Sequence, residues 1–166
     1  MIPLPSRALG LAAALAAAVA LGACSRDQSA VALGADAAGG RGAPGSAQDF
    51  VASAGDRVFF ESDSSDLTPT STATLDRQAT WLQRYPRTAV LLEGHADERG
   101  TREYNFSLGA RRAQAVRDYL ATRGVRAERV RTVSYGKERP VAVCNDISCW
   151  SQNRRAVTAI EAGAGS

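Results

Sequence analysis

The segment from Gly94 to Val116, GHADERGTREYNFSLGARRAQAV, holds several side chains of types that could do chemistry. It contains the single histidine of the sequence, His95, two acidic residues close behind it, and a doubled arginine inside an apolar periodic stretch. Residues of these types could form a metal centre, a catalytic site, a site for a charged ligand, or simply a solvated surface.

The metal and catalytic alternatives have little support. His95, Asp97 and Glu98 could bind a metal ion, but there is no second histidine, and Cys144 and Cys149 form no paired ligand motif. A serine hydrolase would need a base near an exposed serine, and the sequence has no G-x-S-x-G motif. We therefore expect no metal, no cofactor and no catalytic residue. His95 is interpreted as a strand-end residue that packs or forms hydrogen bonds.

Helical spacing places one of the two arginines beside the core. Asn105, Leu108, Arg112 and Val116 fall on one stripe of a helix, whereas Arg111 is rotated by ~100° and should face solvent. A guanidinium next to the core must be paired, because an unpaired buried charge is costly. Arg112 therefore needs a partner from another part of the fold.

Asp97 is the nearest candidate partner, in the turn between a predicted strand and this helix. Ligands of α/β folds usually bind at the carboxyl ends of strands. An Asp and an Arg facing each other across a small pocket would bind a zwitterion, since the carboxylate accepts an ammonium and the guanidinium fork binds a carboxylate. The alternative, equally open from the spacing, is an internal Asp97–Arg112 salt bridge that only fixes the loop.

The elements that must position these residues alternate between strand and helix. One helix is predicted to start at Pro69, after the N-cap Thr68, and to stop before Pro86; a second runs from about residue 103 to 123. This order predicts an α/β (α+β) two-layer sandwich, in which two main helices cover one face of a mixed four-stranded sheet. Short apolar runs predict the strands, at residues 57–61, 88–94, 129–136 and 155–160.

The amino-terminal residues predict export and lipidation. Arg7 precedes an Ala-rich apolar run shorter than the ~20 residues of a membrane span, although a spanning helix is the alternative. The run ends in LGAC, which resembles the bacterial lipobox. Residues 1–23 are therefore predicted to be a lipoprotein signal peptide and Cys24 the lipidated amino terminus, with palmitate among its acyl chains. By the same resemblance, Ser25 indicates the outer membrane, with the domain facing the periplasm.

Composition divides the remaining chain. Residues 24–55 are rich in Ala, Gly and Ser without periodicity, which predicts a flexible tether after the acylated terminus. Residues 56–161 form the predicted domain, and residues 162–166 a frayed tail. The net charge is only +3 and the arginines of residues 123–131 have no aromatic residues among them, so no nucleic-acid partner is expected.

The strings EGHADERGTREYNFSLGARRAQAV, VSYGKERP and SQNRRAV resemble the family of OmpA-like peptidoglycan-binding domains, over about Val58 to Ile160. The resemblance implies a non-enzymatic domain that binds the diaminopimelate side chain of peptidoglycan, with Asp97 on its amine and Arg112 on its carboxylate. The chain departs from the family pattern at FFESDSSDL. The resemblance also implies ligand contacts or pocket positions for Asp63, Arg99, Thr101, Asn105 and Leu108.

The family resemblance and the lipobox together imply a cellular role. They predict a lipid-anchored outer-membrane protein of the Tol–Pal system, with peptidoglycan, TolB and other Tol–Pal components as partners. The implied role is in envelope integrity and in constriction of the outer membrane during cell division. The alternative is a periplasmic peptidoglycan hydrolase or amidase.

Cys144 and Cys149 lie between the last two predicted strands. If Cys24 is acylated, an even pair remains in an oxidising compartment, which predicts a disulfide; two free thiols are the alternative. The bond would close a short loop, so its stabilisation should be below the ~3 kcal/mol of a 15-residue loop. We expect this loop to lie away from Asp97.

Overall fold

The computed structural model describes residues 42–161. The predicted signal peptide, the lipidation site Cys24, most of the predicted tether and the predicted tail lie outside the described residues. Across residues 42–161, no helix has both the length and the apolar character needed to cross a membrane. The elements are, in chain order, α1 (Ala47–Ala54), β1 (Arg57–Phe59), α2 (Pro69–Arg84), β2 (Val90–His95), α3 (Arg102–Thr122), a 3-10 helix (Ala127–Arg129), β3 (Val130–Gly136), α4 (Ile147–Asn153) and β4 (Arg155–Ile160).

The four strands form one mixed sheet in the order β1-β4-β2-β3. Strand β4 is antiparallel to both β1 and β2, whereas β2 and β3 are parallel. Parallel neighbours need a crossover connection, and α3 supplies it. The sheet and its helices confirm the predicted α/β two-layer sandwich, with a strand at each of the four predicted positions.

Helix α2 starts, and helix α3 ends, where the sequence predicts. Thr68 accepts a hydrogen bond from the backbone of Ser71, Pro69 is the first residue of α2, and the helix ends at Arg84. Helix α3 is followed by Gly124, whose φ of 83° lies in the left-handed region. Its predicted stripe is confirmed, because Arg112 and the other three members are buried while the neighbouring arginine is exposed.

Helix α1 shows that the predicted tether of residues 24–55 extends too far. Ser46 caps the helix by accepting a hydrogen bond from the backbone of Asp49 at 3.1 Å. Phe50 is fully buried and packs edge-on against Trp81, with 5.0 Å between ring centroids. Burial of this one large apolar side chain stabilises a helix in a stretch of small residues. The folded part therefore begins before residue 56.

Helix α4 is a second element that the sequence did not reveal. It fills the connection between β3 and β4, and Asp146 caps it by accepting a hydrogen bond from the backbone of Ser148. The structure joins Cys144 to Cys149 in a disulfide, which confirms the predicted pairing. The bond ties the first turn of α4 to the loop that precedes it.

Strand β2 and helix α3 approach closely enough for their backbones to touch. A Cβ atom added to Gly94 would lie 1.8 Å from the carbonyl oxygen of Gly109, so only glycine fits there. Nearby, the hydroxyl of Ser134 donates to the carbonyl of Phe106 at 2.6 Å. These contacts fix the first half of α3 against the carboxyl end of β2, and thereby fix the loop between them.

Candidate ligand-binding site

A small cavity of about 250 Å³ opens where β2 ends and α3 begins. Five of the seven residues predicted to bind a ligand line it, and the other two, Thr101 and Arg112, do not. Tyr104 is the most prominent lining residue outside the predicted set. The complete lining is Ser62, Asp63, Asp97, Arg99, Gly100, Tyr104, Asn105 and Leu108.

Asp97 is the central anion of the cavity. Arg99 donates to both of its carboxylate oxygens, from Nη2 at 2.7 Å and from Nε at 3.2 Å, and Nη1 of Arg154 lies at 3.5 Å. Burial raises the pKa of Asp97, but the hydrogen bonds from Arg99 outweigh it and leave the pKa below its ordinary value. Asp97 is therefore ionised at neutral pH, as a receptor for an ammonium group requires.

Arg112 is fully buried and joins a loop to the end of a strand. Its guanidinium donates to the backbone carbonyls of Ser64 at 2.8 Å, His95 at 2.8 Å and Glu61 at 3.1 Å. Burial lowers the pKa of Arg112 to about 10, against the opposing effect of Asp97, so the group is still a cation at neutral pH. Arg112 thus links the loop after β1 to the end of β2.

The internal Asp97–Arg112 salt bridge, which the spacing had left open, is not the arrangement found. Asp97 pairs with Arg99 and Arg154, and Arg112 is satisfied by carbonyl groups. Three of the five N–H groups of Arg112 are used in its bonds to carbonyls. Because Arg112 does not line the cavity, its direct contact with a ligand stays a prediction.

Thr101 and Asn105 shape the loop between β2 and α3. The hydroxyl of Thr101 accepts from the backbone of Tyr104 at 3.2 Å and caps α3. The buried amide of Asn105 donates to the carbonyls of Arg99 at 2.7 Å and Thr101 at 3.1 Å. The loop is therefore held by the first turn of the helix that follows it.

Two further side chains hold the same loop from outside. The ammonium of Lys137 donates to the carbonyls of Glu98 at 3.2 Å and Gly100 at 2.6 Å. The indole N–H of Trp150 donates to the Glu98 carboxylate, and the indole ring lies against the guanidinium of Arg99. The disulfide next to Trp150 is thus close to the Asp97 network, contrary to the sequence-based expectation.

Asp63 and Tyr104 close the cavity on the side of the loop that follows β1. Asp63 adopts a left-handed backbone conformation, with φ of 56°, and its carboxylate accepts a hydrogen bond from the Tyr104 hydroxyl. This bond raises the pKa of Tyr104. Helical spacing could have identified Tyr104, because it lies four residues before Leu108 on α3 and so shares its side of the helix.

His95 packs against a neighbouring ring, as predicted. Its ring is buried 5.6 Å from that of Tyr135, and neither ring nitrogen has a hydrogen-bond partner among the described residues. Burial lowers its pKa to about 4, helped by the charges of Arg155 and Arg139. Across residues 42–161, no group of three or more potential metal ligands comes together.

Comparison with known proteins gives one family and a consistent set of relatives. The OmpA family matches residues 59–154. A protein of Rhizobium meliloti (strain 1021), named peptidoglycan-associated lipoprotein, is 62% identical over 140 residues, which are 84% of this chain and 77% of the relative. A protein of the same name from Agrobacterium fabrum is 64% identical over 126 residues, covering 76% of this chain and 71% of the relative.

Solved structures show the same fold. The peptidoglycan-associated lipoprotein of Burkholderia pseudomallei superimposes with a TM-score of 0.62 at 42% identity, covering 64% of this chain and 90% of that one. The carboxyl-terminal domain of Helicobacter pylori MotB superimposes with a TM-score of 0.61 at 24% identity, over 66% of this chain and 86% of that one. The second likeness is one of fold alone.

Proposed function

Because this chain belongs to the OmpA family, we propose that its domain binds peptidoglycan non-covalently and catalyses no reaction. The relatives named peptidoglycan-associated lipoproteins support the partner. The observation that carries the proposal is the cavity at the end of β2, which holds an ionised carboxylate and a guanidinium side by side. That arrangement suits a ligand with both charges.

The ligand we propose is the diaminopimelate side chain of the wall peptide, which has an ammonium and a carboxylate on one carbon. Its ammonium binds Asp97, and its carboxylate binds on the side of Arg99 and Arg112, so that charges alternate around the cavity. The remaining predicted site residues contact the ligand or shape the cavity around its two charged groups. They are Asp63, Thr101, Asn105 and Leu108.

The proposed cellular role follows from the family and from the amino-terminal sequence. A lipid on Cys24 anchors the chain in the outer membrane, facing the periplasm, while the domain binds the wall. The lipobox-like LGAC and the lipoprotein relatives support this anchor. The chain then acts in the Tol–Pal system, with TolB among its partners, and contributes to envelope integrity and to constriction of the outer membrane at division.

Calorimetric titration with a diaminopimelate peptide and its lysine analogue tests the ligand. The analogue lacks the second carboxylate, so its binding should be weaker. Asp97→Asn should weaken binding of the diaminopimelate peptide at least about 30-fold, or ~2 kcal/mol, because the ligand ammonium loses its partner. Asp118→Asn, an equal change of charge on the exposed side of α3, should bind like the wild type. Equal affinity for the two peptides would reject the proposed ligand.

Purified sacculi separate binding from hydrolysis. A binding domain sediments with the sacculi and leaves them intact, whereas a hydrolase or amidase releases soluble fragments. Release of muropeptides by the wild-type protein would replace the proposal by the enzymatic alternative.

A further inference from the structure

Helix α4 brings an aromatic ring to the edge of the cavity. The guanidinium carbon of Arg99 lies 4.3 Å from the centroid of the Trp150 ring. The indole N–H also donates to the carboxylate of Glu98, so the ring is fixed by a polar contact at its edge. The guanidinium of Arg99 therefore stacks on Trp150 with its face and donates hydrogen bonds to Asp97 from its edge.

Arg99 needs such a support because nearly half of its side chain is exposed, at 44%. An exposed arginine ordinarily samples many rotamers, and holding it in one of them has an entropic cost. Stacking against an aromatic face restricts the plane of the guanidinium while its edge stays available for hydrogen bonds. Here that edge donates to Asp97 and to the hydroxyl of Ser62, at 2.7 Å in each case.

The helix that carries Trp150 is held in place at both ends. The preceding residue, Cys149, is bonded to Cys144 in the loop before α4. At the other end of the helix, the buried side chain of Asn153 accepts from the backbone of Val141 at 2.9 Å and donates to the carbonyl of Ala142 at 2.8 Å. The short helix is thus fastened to one loop at both ends, which leaves the indole little freedom to move.

We propose that Trp150 is a positioning residue that orders Arg99 and so sets the affinity of the cavity for an anionic ligand group. The inference rests on the proposed function for the identity of that group, the carboxylate of diaminopimelate. The chain of contacts runs from the disulfide through Trp150 and Arg99 to Asp97. A guanidinium ordered before the ligand arrives spares part of the entropy lost on binding.

NMR of the free protein tests the positioning step without any ligand. An indole ring shifts the side-chain proton signals of a guanidinium that stacks on it. Those signals of Arg99 should move to ordinary arginine positions in Trp150→Ala and stay shifted in Trp150→Phe, which keeps a ring. Gln152→Ala, an exposed change on the same helix, should leave them unaltered. Signals of Arg99 that are identical in the wild type and in Trp150→Ala would overturn the proposal, whether or not the protein binds the wall.

A double-mutant cycle with the diaminopimelate peptide tests the effect on binding. Trp150→Ala should weaken binding about two- to tenfold, the range expected when one cation–π contact is lost. In an Arg99→Ala background the same change should have a clearly smaller effect, because only the indole contact with Glu98 remains to be lost. A loss of the same size in both backgrounds would reject the positioning role while leaving the proposed ligand intact. Failure of the wild type to bind the peptide would reject the ligand, and the NMR result would still decide the role of Trp150.

Discussion

At the scale of single residues, the pKa of His95 reports how strongly the protein interior disfavours a charged side chain. Its pKa is lowered from 6.5 to about 4 by burial, so the folded protein keeps the ring neutral where the unfolded chain would bind a proton. The contribution of His95 to stability should therefore fall as the pH drops from about 6.5 to 4 and level off below that window, where carboxyl groups with a lowered pKa, such as Asp97, begin to lose theirs. The full difference corresponds to about 3 kcal/mol of unfolding free energy, at 1.36 kcal/mol per pKa unit.

The single histidine makes this measurable without assignment ambiguity. An NMR titration should follow one imidazole with a midpoint near pH 4, and urea unfolding at several pH values should show the matching loss of stability. His95→Asn, whatever its overall stability, should remove the part of this dependence that lies above the pH range in which the carboxyl groups titrate. A midpoint near 6.5 in the folded protein would contradict the prediction.

The burial of Arg112 was predictable from the sequence, but its hydrogen-bond partners were not. The helical stripe correctly placed it at the core, because apolar neighbours at i−4 and i+4 define the buried side of α3. Its partners, the backbone carbonyls of Glu61, Ser64 and His95, were not predictable. Every residue has a backbone carbonyl, so the residue types do not indicate which ones an arginine will bind. A substitution of Arg112 leaves buried acceptors unsatisfied, so its effect on binding cannot be separated from its effect on folding.

At the scale of elements, the contact between β2 and α3 decides where the cavity forms. A Cβ atom on Gly109 would lie 2.4 Å from the hydroxyl of Ser134 and 2.8 Å from the carbonyl oxygen of Gly94. Gly109→Ala should therefore push α3 away from the sheet and lower the unfolding free energy by about 2–3 kcal/mol, as overpacking does. Urea unfolding measures the loss, and affinity for the diaminopimelate peptide should fall with it.

Ala110→Ser is the matched control for Gly109→Ala. It adds one heavy atom to the neighbouring position of α3, which is exposed, and should leave stability and binding nearly unchanged. If Gly109→Ala were as stable as this control, the helix and strand would not be in backbone contact as described.

Elements were predictable where they carry their own local signals. Helix α2 has an N-cap followed by proline, and α3 has a buried stripe and a terminal glycine, so both appear in the sequence. Helices α1 and α4 have eight and seven residues, which is too few for apolar residues to show a clear helical periodicity. Each depends on tertiary contacts, Phe50 against Trp81 in one and the disulfide in the other.

At the scale of the whole molecule, α1 extends the folded unit beyond the predicted boundary at residue 56. A chain of residues 56–161 loses the burial of Phe50 and should unfold about 3–5 kcal/mol more easily than a chain of residues 42–161, the usual effect of emptying a phenylalanine site. Denaturant unfolding of the two chains, followed by the fluorescence of Trp81 and Trp150, measures the difference. Equal midpoints and slopes would show that α1 adds nothing to the fold.

The family pattern predicted most of the cavity but not its outer support. Asp97 and Arg99 lie in the quoted segment around β2 and α3, where local sequence sets the geometry. Trp150 reaches Arg99 from a helix about fifty residues later in the sequence, and only the folded sheet brings the two together. Contacts between distant segments are those that one sequence, met alone, does not reveal.

The position of α1 at the entry of the chain into the domain has a mechanical consequence. If the protein is tethered by its amino-terminal side and holds the wall at its cavity, tension between the two points reaches α1 before it reaches the sheet. Pulling its eight residues from a helix to an extended chain would release about 15 Å of length. Helix α1 would then unfold under load before β1 is pulled from β4, to which three residue pairs join it.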